Sequence, residues 1–235
     1  EAYARDGRAT AVELWERCLP TLSVGPTDIL EWGCGVARIT RHLPALPGIR
    51  SVTGADVNEA MIRWNRGNIA GVDFRHLAQD PPMPFPDDRF GVVLAVSVLT
   101  HIPRDAQGAW LEEVRRILQP GGLLIVTTQG RAFLGRLLPV ERRRLREEGI
   151  LTRDYPVRGH RMMSAFHDPV HFGSMVEPGF ETIDFRDGSL DPSAAGGQDL
   201  WLLRKRHMPK PGEPGSAMDR QGEGGTSSAQ PAAAC

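Results

Sequence analysis

A few residues in this chain have the types and spacing that chemistry needs. In "ILEWGCGVARITRHL", Gly33 and Gly35 flank Cys34, directly after an apolar run and before a run with helical spacing. Glycine at such a turn lets a ligand approach bare backbone. A helix starting behind it would offer unpaired N–H groups to an anion. Asp56 lies 23 residues beyond Gly33, at the end of the second apolar run, where an acid can accept both hydroxyls of a ribose. The pair describes a ligand with an anionic group at one end and a ribose nearby. A dinucleotide fingerprint would want a small residue at position 38, which Arg38 occupies. His101 follows the fourth apolar run and suits a base, or a group that orients an acceptor; its structural alternative is capping the helix that begins near Pro103. His167 is expected to face the same crevice, with Tyr155, His160 and Ser164 lining an acceptor pocket. His167 and His171 have a ligand-like spacing, but Asp168-Pro169 starts a helix between them, so no metal is expected.

These residues need a frame. Short apolar runs at 28–32, 50–56, 72–77, 90–99 and 121–129, most of them β-branched, read as buried strands. Helical spacing separates them: residues 36–44, then a helix capped by Asn58, then one ending before Pro120-Gly121-Gly122. Strand and helix alternating at this pace predict βαβ units and a parallel sheet covered on both faces. Two more strands are expected at 180–187 and 198–205. Residues 130–168 interrupt the rhythm with a basic helical stretch and an irregular piece. An insertion there would form a helical lid over the crevice at the strands' carboxyl ends.

"ILEWGCGVAR" resembles the first motif of the class I S-adenosylmethionine (SAM) methyltransferases: an acid, a hydrophobic residue, then G-C-G-x-G-R. "PMPFPDDRFGVV", "AVSVLTHIP", "ILQPGGLLIVTT" and the final "GGQDLWLLRK" resemble later segments of that family. Ala37 replaces its usual third glycine, and Gly91 a usual aspartate. The resemblance implies a doubly wound, mostly parallel seven-stranded α/β sheet of Rossmann-like type. It also implies SAM as cofactor, with S-adenosylhomocysteine as product. By position, Gly33 and Gly35 would meet the amino and carboxylate groups of SAM, with Glu31, Cys34 and Arg38 beside them. Asp56 would take the ribose; Val57 or Met61 would pack on the adenine. Gln79 or Asp80 would face the adenine amino group, and Ser97 would present its carbonyl to the SAM amine. The expected function is methyl transfer to a small-molecule acceptor, such as a specialised natural product. A SAM-binding protein without catalysis and a nicotinamide oxidoreductase are the alternatives.

Composition sets the outer bounds. The 235 residues carry a formal net charge of −1, so no global field points to nucleic acid or membrane. The run Arg142-Arg143-Arg144 with Arg146 is interleaved with Glu141, Glu147 and Glu148 and reads as a solvated helix face; no nucleic-acid partner is expected. Three widely spaced cysteines (Cys18, Cys34, Cys235) give no disulfide framework and fit a reducing, cytoplasmic setting. No apolar run reaches the length of a membrane span. Residues 1–206 are expected to form one methyltransferase domain, monomeric or homodimeric. The Gly-, Pro- and Ser-rich stretch 207–235 is expected to be a disordered tail.

Overall fold

The computed structural model describes residues 2–22, 25–153, 163–191 and 196–207. Seven strands form one sheet: β1 (Thr27–Trp32), β2 (Ile49–Asp56), β3 (Asp73–His76), β4 (Phe90–Ala95), β5 (Leu118–Thr128), β8 (Phe180–Arg186) and β9 (Asp199–Lys205). Their order across the sheet is β3-β2-β1-β4-β5-β9-β8. The first five run parallel, and β9 enters antiparallel between β5 and β8. This is the doubly wound sheet that the sequence predicts. Its winding reverses between β1 and β4, which opens a crevice at their carboxyl ends.

Strand periodicity sorts the core into two layers. Ile29, Val92, Leu94, Leu123, Ile125, Leu200 and Leu202 face helix α1 (Ala2–Cys18) and a 3₁₀ segment at Thr40–Ala45. Their neighbours Leu30, Val93, Leu124, Val126, Trp201 and Leu203 face the other way. There they meet α3 (Arg104–Ile117) and α5 (Pro169–Val176). Helix α2 (Glu59–Asn68) starts where the Asn58 side chain accepts the Met61 N–H, and buries Ile62 against Phe74 of β3.

Two expectations need correction. Residues 36–44 are not an α-helix: Val36–Ile39 are turns, and only Thr40–Ala45 coil, as 3₁₀. Ala37 sits at φ +56°, which no helix tolerates, and Pro44 removes a donor one turn later. The insertion is also less helical than expected. After α4 (Pro139–Glu148), β6 (Ile150–Arg153) pairs antiparallel with β7 (Ser164–His167) in a small second sheet. Phe133, Leu137, Leu145, Leu151 and Phe166 give this region its own apolar cluster. Charges on α4 pair as the sequence pattern suggests: Arg144 meets Glu148 within the helix at 3.1 Å, and Glu141 takes Arg153 of β6 at 2.6 Å. Among the described residues, no helix is long and apolar enough to cross a membrane.

Candidate active site

A cavity of about 770 Å³, counting its open mouth, occupies the crevice at the winding reversal. Its polar wall is Gly33, Asp56, Gln79, Asp80, Ser97 and His101, from the ends of β1, β2, β3 and β4. Its apolar wall is Trp32, Val57, Val98, Ile102, Pro103, Ala106 and Trp110. Trp32 and Trp110 pack against each other there, tilted by 31° with ring centroids 5.0 Å apart. Thus Gly33, Asp56, Val57, Gln79, Asp80, Ser97 and His101, all singled out in the sequence, meet in one place.

Asp56 ties the cavity to the glycine turn. Its Oδ2 accepts the Gly35 N–H and its Oδ1 the Asn58 N–H, both at 2.8 Å. Each carboxylate oxygen keeps a further lone pair for a ligand. The glycine turn itself differs from expectation. The Gly33 and Cys34 N–H groups both donate to the Ala55 carbonyl, at 2.8 and 3.0 Å. The loop's amides therefore bind it to β2, and no helix follows to add a field. What Gly33 contributes is shape: at φ +74°, a Cβ there would lie 2.5 Å from Val98 Cγ2.

The structure sets several predicted residues elsewhere. Glu31 is buried beneath the turn, accepting the Thr40 hydroxyl; burial, opposed by that bond, pushes its carboxyl up to about 7. Cys34 packs with Ala37, Ile62 and Phe74, and burial, aided by the nearby Glu31 and Asp56 carboxylates, raises its thiol. Arg38 reaches toward the Thr10 hydroxyl of α1. Met61 stands half exposed on the first turn of α2, off the cavity wall. Ser164 opens β7 opposite Arg153, also off the wall. Tyr155 and His160 lie outside the described residues.

His101 and His167 part company. His101 is on the wall, and its Nδ1 lies 2.8 Å from the Met163 carbonyl. A carbonyl only accepts, so Nδ1 holds the proton and Nε2 is bare in the neutral ring. That is the form a general base needs. His167 is fully buried against Phe172 at the end of β7, with Nε2 2.8 Å from Gln107 Oε1. Burial, with a smaller push from His171, drives it down to about 3. The expectation that His167 faces the crevice is therefore corrected: the β6–β7 pairing turns it inward.

Three polar residues not singled out in the sequence support the wall. The Ser97 N–H donates to Thr127 Oγ1 (2.8 Å), Thr127 Oγ1 to Gln198 Oε1 (2.6 Å), and Gln198 Nε2 to Ser97 Oγ (2.8 Å). This closed ring keeps Ser97 at φ +60°, a left-handed conformation that costs a serine about 1–2 kcal/mol. The third is Gln107, buried in α3. Its signal was available, since it shares a helix face with Trp110, Leu111 and Val114, where a polar residue demands partners. Gly91, where the resembled family has an acid, lies near the amino end of β4 against Thr27, far along the strand from the cavity.

A doubly wound sheet with a carboxyl-edge cavity and an acid at the end of β2 is the arrangement of nucleoside-binding α/β folds. Residues 29–122 match the family described as "Methyltransferase domain". Over that stretch, which holds the glycine turn and the β2 acid, the chain is similar to the class I SAM-dependent methyltransferases. It is 34% identical over 120 residues to a fatty-acid O-methyltransferase of Mycolicibacterium smegmatis, covering 50% of this chain and 42% of that protein. A phthiotriol/phenolphthiotriol dimycocerosates methyltransferase of Mycobacterium ulcerans is 33% identical over 119 residues, covering 49% and 42%. The chain thus spans less than half the length of these relatives. In fold it is similar to a Methanosarcina mazei SAM-dependent methyltransferase (TM-score 0.60, 22% identity, 81% of this chain and 97% of that one). It is also similar to the Burkholderia thailandensis 1,6-didemethyltoxoflavin-N1-methyltransferase, solved with bound 1,6-didemethyltoxoflavin and S-adenosylhomocysteine (TM-score 0.59, 18% identity, 86% and 79%). The cavity suits the family's cofactor at its nucleoside end: paired acceptors on Asp56, the amide of Gln79, and an apolar wall for a base.

Proposed function

We propose that this protein transfers the methyl group of SAM to a small-molecule acceptor whose body is largely apolar. Asp56 accepts the ribose hydroxyls, Val57, Val98 and Ile102 pack on the adenine, and Gln79 or Asp80 meets its amino group. SAM supplies a methyl on a sulfonium, open to direct displacement by a nucleophile. The chain's own part is to hold the two reactants in line, which supplies much of the acceleration. His101 Nε2 takes the proton from the acceptor's hydroxyl or amine, while Met163 keeps the ring in that tautomer. Among the described residues no arginine or lysine lines the cavity, which favours an uncharged acceptor. The relatives named for fatty acids and phthiotriols lend support to an apolar one.

The observation that carries this reading is that Asp56 and His101 line one cavity. Calorimetric titration with SAM, S-adenosylhomocysteine and NAD in parallel tests it. Micromolar binding of both sulfur nucleosides and none of NAD is expected, followed by S-adenosylhomocysteine release in a screen of hydroxylated apolar acceptors. Binding of NAD, or no sulfur-nucleoside binding at all, would overturn it.

A further inference from the structure

His101 ends a single 3₁₀ turn, Leu99–His101, between β4 and α3. So short a turn has little hydrogen bonding of its own; here the His101 N–H donates to Val98, the Ile102 N–H to Leu99 and the Thr100 hydroxyl to Ser97. Something else must fix it. Gln107, fully buried one turn into α3, donates its amide nitrogen to the Leu99 carbonyl at 3.2 Å and to the Ile102 carbonyl at 3.0 Å. Those two carbonyls bracket His101.

The chemistry of the partners fixes the rest. Both carbonyls only accept, so the Gln107 nitrogen must face them and its oxygen must face away. That oxygen meets His167 Nε2, which therefore carries the proton and donates. His167 belongs to β7, and Met163, whose carbonyl takes the His101 Nδ1 proton, immediately precedes that strand. One short stretch of chain thus grips the His101 turn twice, once directly and once through Gln107.

We propose that Gln107, latched by His167, is a positioning residue that sets the His101 turn so that the ring presents a bare Nε2 to the cavity. The inference rests on the reading of His101 as the group facing the acceptor. It gives β7 a task in catalysis without any β7 side chain touching substrate. It also explains why a glutamine is buried on an otherwise apolar helix face, where an unpaired amide would be costly.

The test needs no acceptor. Histidine-selective ¹⁵N labelling reports the tautomer of each ring, and His101→Asn identifies the His101 signals. The wild-type protein at pH 8 should show His101 wholly as the Nδ1–H form. Gln107→Leu should let Nε2–H populate and lower amide-exchange protection at His101 and Ile102 by about tenfold or more. Gln107→Glu should do the same, since a carboxylate accepts from His167 yet donates to neither carbonyl. His167→Phe keeps the ring's bulk and should give a smaller loss of the same sign. Affinity for S-adenosylhomocysteine should stay within about threefold throughout, since neither residue lines the cavity. An unchanged His101 tautomer and unchanged protection in Gln107→Glu and His167→Phe would overturn the proposal, whether or not Gln107→Leu folds. Failure of the methyltransferase reading is separate: it would show as no sulfur-nucleoside binding by the wild type, with the tautomer result standing.

Discussion

Asp56 is asked to do two things, and substitution can separate them. Its carboxylate takes two backbone N–H groups, from Gly35 and Asn58, each at 2.8 Å. Hydrogen bonds to a charged group are worth about 1.5–3 kcal/mol when buried. Asp56 is half-buried and water can reach its neighbours, so about 1 kcal/mol for each bond, about 2 kcal/mol together, is the expected stability loss in Asp56→Ala. The ribose contact is a further loss: about 1.5–3 kcal/mol of binding, or about 10–150-fold in affinity. In Asp56→Asn the amide oxygen keeps one backbone N–H, and the NH₂ can donate to a ribose hydroxyl. That variant should lose about half as much stability and distinctly less affinity. Urea unfolding measures the first quantity, and calorimetry with S-adenosylhomocysteine the second. If Asp56→Ala loses stability but binds S-adenosylhomocysteine within about twofold of wild type, Asp56 only anchors the glycine turn and the ribose assignment is refuted.

Glu31→Gln should remove a pH-dependent weakness. Because burial raises the Glu31 carboxyl from 4.5 to about 7, the folded state holds a proton there that the unfolded chain releases. Its contribution therefore falls as pH rises from about 4.5 to 7, by about 3 kcal/mol. The urea midpoint of Glu31→Gln should exceed wild type at pH 8 and not at pH 4.5; His167, shifted to about 3, tilts both proteins alike below pH 6.5. Gly33→Ala should cost about 1–2 kcal/mol from its left-handed backbone, plus the Cβ contact with Val98 Cγ2 at 2.5 Å. Adding Val98→Ala should return the second part only; full rescue would mean that the backbone at Gly33 carries no strain. With an acceptor in hand, His101→Asn should lower kcat by about 10²–10⁴ and leave S-adenosylhomocysteine affinity within about twofold. An unchanged kcat would put the base elsewhere.

How much of this was legible in the sequence depends on whether a residue's partner is local. The strands were legible because runs such as Val92-Val93-Leu94-Ala95 are apolar on both sides, as a sheet covered on both faces requires. Asp56 was legible because it closes the second apolar run, at the carboxyl end of the strand beside the glycine turn. The helix at 36–44 was misread because its apolar spacing was real: Ile39 and Leu43 do face the core beneath the sheet. A turn followed by 3₁₀ residues meets that demand as well as an α-helix does, and Ala37 at φ +56° decides between them.

The glycine turn makes the same point about chemistry. Its residue types announce bare backbone near a ligand, and Gly33 lies on the cavity wall. Which atoms are on offer is another matter, since an N–H is available only if no carbonyl has taken it. Ala55, more than twenty residues away in sequence, takes two of them, and Asp56 takes the third. An anion at Gly33–Gly35 must therefore find its donors beyond these three amides, while the Asp56 carboxylate gains rigidity from the amides it holds. The turn works as a brace for the β2 acid, and so disturbing Gly35 should be felt first at the ribose end of the site.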